Sequence, residues 1–333
     1  MINQYLNWYN MVQETLESEV FNSKEYKDIE RVVVIGMGGS GIVGDILSVI
    51  AQNYSNLLML TYKDFYVPNN FISNKTFVLA ISYSGNTLET IASVIQLLKK
   101  GLPIGVVASG GELLDIAKKH ILPHIVVRPG LAPRSAMPLM LVASIKLLSS
   151  CGIRLVSWES LHKSLAILRN TEEANRISDE VVEFLKESAI PLIVATNRYH
   201  PLAIRIKNEL NENAKMPAKI EVIPELFHND IVGWERHSGR EKAIIISSDI
   251  EYEEQLLKFY GEYLESTGFD VYHLKLSGNI IERYLFGSLI AGIASAKIAN
   301  KLGLDPLQTR SIVMYKEFLK KHRDDILKKV LSL

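Results

Sequence analysis

The stretch Val32-Val33-Val34-Ile35-Gly36-Met37-Gly38-Gly39-Ser40-Gly41 decides the fold class. An apolar run ends in a glycine-rich turn, and residues 42–51 then carry helical patterning. The same arrangement returns in Phe77-Val78-Leu79-Ala80-Ile81-Ser82-Tyr83-Ser84-Gly85-Asn86-Thr87, ahead of a helical stretch over residues 88–100. A strand that feeds a helix through such a turn makes an anion site, because the N–H groups of the helix start carry the positive end of the dipole. Glycine lets a ligand approach the backbone, and Ser or Thr hydroxyls add donors. Two such loops in one sheet predict a clasp for one phosphate group, built from Gly38, Gly39, Ser40, Ser82, Ser84 and Thr87. The competing reading is a dinucleotide site. Gly36, Gly38 and Gly41 fit G-x-G-x-x-G, and Asp64 falls a little beyond the expected spacing of about 20 residues for a ribose-binding acid. The second loop favours the phosphate, since a dinucleotide fold does not require a serine-threonine turn after its third strand. Without any ligand these hydroxyls would be idle polar groups at strand ends.

Working outward, strand-like runs at residues 31–35, 57–61, 76–82, 103–108 and 124–127 alternate with helical patterns. Alternation implies parallel pairing in an α/β sheet covered on both faces, with ligands beyond the carboxyl ends of the strands. A turn-rich segment at 128–134 ends this sheet, and an apolar helix follows at about 138–150. Residues 158–188 are charged, lack glycine and read as a spacer helix pair. The pattern then repeats, with strands at 191–196, 219–223, 242–247 and 270–276 and helices at 201–215, 252–267 and 280–302. Two halves rich in strand-helix-strand units suggest duplication. The expected domains are 1–150 with the phosphate loops, a helical connection over 151–188, and a second domain over 189–333. The turn after the second half's first strand, Asn197-Arg198-Tyr199-His200-Pro201, lacks a glycine-hydroxyl cradle, so one phosphate site is expected, in the first half. The tail, about 306–331, reads as one long amphipathic helix.

Composition narrows the function classes. A chain of 333 residues can bury a sizeable core in two domains. Lys plus Arg and Asp plus Glu both number 37, which gives no electrostatic case for nucleic acid or an anionic membrane. The single cysteine, Cys151, excludes an intramolecular disulfide framework and a multi-thiolate zinc site, and it fits a reducing cytoplasm. The N-terminus lacks the pattern of a signal peptide, and the apolar region 137–148 is too short to span a bilayer. His200, His237 and His273 are too scattered to argue a metal.

Taken in order, residues 36–41, 82–87, Pro133-Arg134, Asn208-Glu209-Leu210-Asn211-Glu212-Asn213, Phe227-His228-Asn229-Asp230 and Asp305-Pro306 with the tail form a combination spread over almost the whole chain. The chain resembles sugar isomerase (SIS) domain proteins, and among them the bifunctional phosphoglucose/phosphomannose isomerases. The resemblance implies two sugar-isomerase-type domains, each a mainly parallel sheet flanked by helices, with a C-terminal helix. It implies a cytoplasmic homodimer of carbohydrate metabolism that interconverts glucose 6-phosphate or mannose 6-phosphate with fructose 6-phosphate. That chemistry moves a proton between C1 and C2 through a cis-enediolate and requires no metal or redox cofactor.

The resemblance assigns the base to Glu212. Spacing alone does not separate it from Glu209, three residues earlier on nearly the same helical face. It assigns the cation that stabilises the enediolate to Arg134, although Arg128 competes and would ordinarily serve as a loop salt bridge. It gives ring opening to His228, supplied by the neighbouring subunit. It turns Lys316 of the tail toward the site and puts Thr309, seven residues earlier, near the sugar carbons, where a small side chain leaves room for either C2 epimer. Two rivals are a non-catalytic phosphosugar sensor, which would usually carry a DNA-binding segment, and an NAD(P)-dependent oxidoreductase built on the first glycine loop.

Overall fold

The structure is a computed structural model that describes residues 1–236 and 241–332. His237 therefore lies outside the described residues. In chain order, α1 (Ile2–Leu6) and α2 (Trp8–Glu17) precede β1 (Val20–Phe21), β2 (Arg31–Ile35), α3 (Gly38–Tyr54) and β3 (Leu58–Tyr62). Then come β4 (Thr76–Ser82), α4 (Leu88–Leu98), β5 (Ile104–Ala108), α5 (Gly111–Lys119), β6 (His124–Val126) and α6 (Met137–Ser150). Helices α7 (Trp158–Leu165) and α8 (Thr171–Phe184) lead to β7 (Leu192–Thr196), α9 (His200–Glu209) and a π turn (Leu210–Ala214). The rest is β8 (Lys219–Ile223), α10 (Asp230–Gly233), β9 (Lys242–Ile246), α11 (Glu251–Ser266), β10 (Asp270–Leu274), α12 (Ile280–Lys301), α13 (Arg310–Lys321) and α14 (Arg323–Val330).

The chain divides into two compact units. The first comprises residues 7–162 and 309–333, the second 1–6 and 163–308. In the first, the sheet order is β1-β6-β5-β4-β2-β3, parallel except for β1 against β6. Strand β4 is buried at every residue, as a central strand covered on both faces must be. Val33, Val78, Ile104 and Val106 meet Val94 and Leu97 of α4 and Leu113 and Leu114 of α5. Each such fully buried aliphatic side chain contributes roughly 1.5–3 kcal/mol over exposure. In the second unit the order is β10-β9-β7-β8, all parallel. Among the described residues no helix is long and apolar enough to cross a membrane.

Most expected strands appear within one or two residues of their expected limits. Three differences are physical. Helix α3 starts at Gly38 rather than near residue 42, because the glycines themselves enter the first turn. The tail is two helices, broken at His322, and it groups with the first unit instead of the second. Side chains explain this grouping: the Tyr315 hydroxyl donates to Glu89 of α4 at 2.8 Å, and Arg323 pairs with Glu112 of α5 at 2.5 Å. Conversely, residues 1–6 join the second unit through the buried Tyr5.

Gly85 has φ +66°, and a Cβ there would lie 1.8 Å from the carbonyl oxygen of Gly110. Gly101 has a similar φ of +70° with open space around it. Gly85→Ala should therefore cost roughly 2–4 kcal/mol, through strain and overlap together, and Gly101→Ala only about 1 kcal/mol. Denaturant unfolding of the two variants side by side checks the difference.

Candidate active site

The strand order of the first unit reverses between β2 and β4, which are hydrogen-bonded neighbours with Ile35 opposite Ala80. The chain leaves β2 toward β3 on one side and β4 continues to β5 on the other. Such a reversal opens a crevice at the carboxyl ends of the two strands. Both predicted loops emerge there, and α3 and α4 start from them. The structure thus brings the six predicted phosphate-site residues together.

Their hydroxyls do not all serve one purpose. Ser40 is buried; its Oγ accepts the Tyr83 N–H at 3.1 Å and lies 3.4 Å from Met140 Sδ. It stitches one loop to the other. Ser82, also buried, accepts the Gly85 N–H at 3.1 Å and is 3.0 Å from Thr87 Oγ1. Ser84 and Thr87 are half-buried, Gly38 is exposed and Gly39 half-buried, so these four present the crevice to solvent. A carboxylate, Glu89, sits buried in the first turn of α4, held by Tyr315 of the tail. Burial and then Glu89 push the Tyr315 phenol up to about 12.

Tyr83, between the two serines of its loop, has a role that spacing did not suggest. Its hydroxyl donates to the Arg128 carbonyl at 2.8 Å and accepts the Leu131 N–H at 2.9 Å, which fixes the segment leading to Arg134. Arg134 is buried, and the backbone of Gly39 packs so closely on it that a Cβ at Gly39 would come within 3.2 Å of Arg134 Cα. Arg128 instead points out to Glu14, with an N–O distance of 3.1 Å and both side chains about half exposed. It is the loop salt bridge. Thr309 is the half-buried N-cap residue of α13, and Lys316 lies seven residues on, exposed and on nearly the same face.

In the second unit the two glutamates that spacing left undecided separate. Glu209 is fully buried; it pairs with Arg205 and accepts from the Tyr5 hydroxyl at 2.7 Å and from Asn213 Nδ2 at 2.8 Å. Glu212 is half-buried on the π turn. The wider winding of that turn, closed by the Lys215 N–H on the Leu210 carbonyl, moves Glu212 off the buried face of Glu209. The Lys215 ammonium caps it through the carbonyls of Glu212 at 2.8 Å and Asp305 at 3.0 Å.

His228 is exposed, at the end of a helical turn over Glu225–His228. The chain around it is anchored by buried Glu221. That carboxylate takes the Tyr260 hydroxyl, Trp234 Nε1 at 3.1 Å and the Lys219 ammonium at 2.5 Å, while Lys219 also reaches Asp230 at 3.1 Å. Burial and then Glu221 raise the Tyr260 phenol strongly. The π turn precedes β8 and the His228 turn follows it. Within one chain Glu212 and His228 therefore lie at opposite ends of this five-residue strand, which is roughly 13 Å long.

The second unit has its own reversal, between β7 and β9. The Glu253 carboxylate lies there, accepting from the hydroxyls of Thr196 at 2.9 Å and of Ser248. Asp249 beside it takes the Tyr199 hydroxyl at 2.7 Å and pairs with Arg198 at 3.2 Å. His120 and His124, four apart in sequence, fall on a helix end and on β6, not on one helical face. Among the described residues no three His, Cys, Asp or Glu side chains are grouped to hold a metal ion.

Residues 25–148 match the SIS domain family, and residues 172–319 match the family described as bacterial phospho-glucose isomerase C-terminal SIS domain. The chain is 32% identical over 330 residues to a bifunctional phosphoglucose/phosphomannose isomerase of Aeropyrum pernix, covering 96% of this chain and 98% of that protein. It is 28% identical to a D-glucosamine-6-phosphate 4-epimerase of Sulfolobus acidocaldarius, over 95% and 97% of the two chains. Among solved structures, the C-terminal domain of glucosamine-fructose-6-phosphate aminotransferase from Francisella tularensis shares the fold, with a TM-score of 0.74 at 14% identity over 92% of this chain and 97% of that one. Two hydroxyl-bearing loops at one strand reversal in the first unit, a buried arginine beside them and a near full-length match above 30% identity converge: the chain belongs to the bifunctional phosphoglucose/phosphomannose isomerase family.

Proposed function

We propose that this protein is an aldose-ketose isomerase that interconverts glucose 6-phosphate and fructose 6-phosphate, and mannose 6-phosphate and fructose 6-phosphate. The observation that carries the reading is the pair of hydroxyl-bearing loops at the β2–β4 reversal, in a chain aligned end to end with an isomerase of that name. The phosphate binds at the starts of α3 and α4, with Ser84 and Thr87 as side-chain donors. Ser40 and Ser82 hold the loops in shape. Glu212 removes the C2 proton of the aldose and returns it to C1, and its half-exposed position on the π turn suits contact with substrate. Arg134 is the cation for the enediolate oxygens. His228 transfers the proton that opens the sugar ring, assisted by Lys316, and Thr309 leaves space for both epimers at C2. The chemistry itself calls for no cofactor.

The working unit is a homodimer in which His228 acts in the partner's site. Two observations support this. Glu212 and His228 of one chain stand at opposite ends of β8. Helix α13 also exposes Val313, Met314 and Phe318, each more than half accessible, an apolar face that a second subunit would cover. A cytoplasmic setting is part of the same reading.

A coupled assay with glucose 6-phosphate and mannose 6-phosphate, with and without a chelator, tests the function. Turnover of both, insensitive to the chelator, is the expected result. Because one relative is named as a 4-epimerase, glucosamine 6-phosphate belongs in the same assay. Epimerisation at C4 with no C1–C2 isomerisation would replace this reading by that one.

Four variants follow. Ser84→Ala and Thr87→Val each remove a donor to an anion, and KM should rise about ten- to hundredfold, the value of a charge-assisted hydrogen bond; unchanged KM in both returns the first loop to the dinucleotide reading. Glu212→Gln should abolish isomerisation of both sugars and exchange of the C2 proton with solvent, while phosphosugar affinity stays nearly intact. Mixing His228→Ala with Glu212→Gln subunits should restore about one quarter of wild-type activity, since about half the dimers are hetero and each holds one intact site. A mixture as inactive as either parent, after confirmed subunit exchange, removes the shared site.

A further inference from the structure

The turn that carries Glu212 is built on a buried polar network, while the Glu212 side chain itself is half-exposed. Arg205, Glu209, Asn213, Ser295 and Tyr5 are all at least 99% buried. Asn213, the residue after Glu212, donates through Nδ2 to Glu209 at 2.8 Å, to the Tyr5 hydroxyl at 3.1 Å and to Ser295 Oγ at 2.9 Å. The Tyr5 hydroxyl donates in turn to Glu209 at 2.7 Å, and Arg205 pairs with the other oxygen of that carboxylate. One side of the π turn is thus bound, through Asn213, to a carboxylate that can move only if its three partners move with it. Burial raises the Tyr5 phenol well above its ordinary value, with Glu209 adding to the rise, so the group is a fixed donor.

Tyr5 reaches this network from the far end of the chain. Helix α1 joins the second unit, whereas α2, two residues on, belongs to the first. Its ring packs against α12 at Gly292, where a Cβ would come within 2.3–2.7 Å of three ring carbons. The glycine in the middle of α12 is what lets the ring in.

We infer that Tyr5, through Glu209 and Asn213, is a positioning residue for the base Glu212, and that α1 serves to deliver its hydroxyl. This rests on the proposed role of Glu212. A wound-out turn needs such a clamp, because π turns persist where surroundings over-determine them, and a base displaced by about an ångström loses much of its rate.

The test is steady-state kinetics on the full chain with glucose 6-phosphate, with Glu212→Gln measured alongside. Tyr5→Phe keeps the ring and removes only the hydroxyl. It should lower kcat on the order of tenfold or more and leave KM within about twofold, at a temperature where circular dichroism reports the variant folded. Gly292→Ala, which pushes the ring off α12, should give the same split. Ser295→Ala, which takes one acceptor from Asn213, should give a smaller loss in the same direction and guards against an unfolded variant. A normal kcat with only a lower unfolding midpoint, or a change confined to KM, overturns the inference. Should Glu212→Gln itself retain turnover, the assignment of the base fails instead, and the two failures are told apart in one experiment.

Discussion

Everything at the candidate site depends on β2 pairing with β4 while the chain's third strand, β3, lies on the far side of β2. Right-handed crossovers then send α3 and α4 away from each other, and their amino ends are left side by side. The first N–H groups of each helix have no carbonyl partner within the helix, and neither helix has a side-chain cap bond. The Ser40–Tyr83 hydrogen bond holds them at a fixed separation, and Tyr83 passes that order on to the segment bearing Arg134.

The second unit has the same kind of reversal and uses it differently. Glu253 lies against the hydroxyls of Thr196 and Ser248, and Asp249 against Arg198 and Tyr199. Carboxyl groups of the chain thus lie at the carboxyl ends of these strands, in contact with the hydroxyls there. The two sheets share one kind of strand reversal and differ in the side chains at its strand ends. A shared fold leaves the chemistry of each reversal to the side chains placed there.

Buried carboxylates recur as anchors for irregular segments. Glu209 holds the π turn of Glu212, Glu221 holds the chain around His228, and Glu89 holds the tail helix that carries Thr309 and Lys316. Each is almost fully buried and each takes donors from residues distant in sequence. An isolated buried charge would be strongly unfavourable, so each carboxylate is stable only with its whole set of donors in place, and the donors are thereby fixed as well.

The strands, the alternation and the two glycine- and hydroxyl-rich loops were legible in the sequence, because they follow from apolar periodicity and from glycine and hydroxyl chemistry acting over a few neighbouring residues. So was the family, through short motifs kept in order along the chain. Sequence spacing could not separate Glu209 from Glu212, three positions apart on a nominal helix; the π turn and the buried Arg205 decide between them. Nor could it assign Ser40 and Ser82 to shaping the loops and Ser84 and Thr87 to facing solvent, since the four are chemically alike and differ only in burial. The exchange of the two chain ends between units was equally hidden, for it depends on Tyr5 finding Glu209 and Tyr315 finding Glu89, each more than 200 residues away. Local chemistry sets which elements form; which polar group meets which across the chain is settled only when the packed units place them within hydrogen-bond reach.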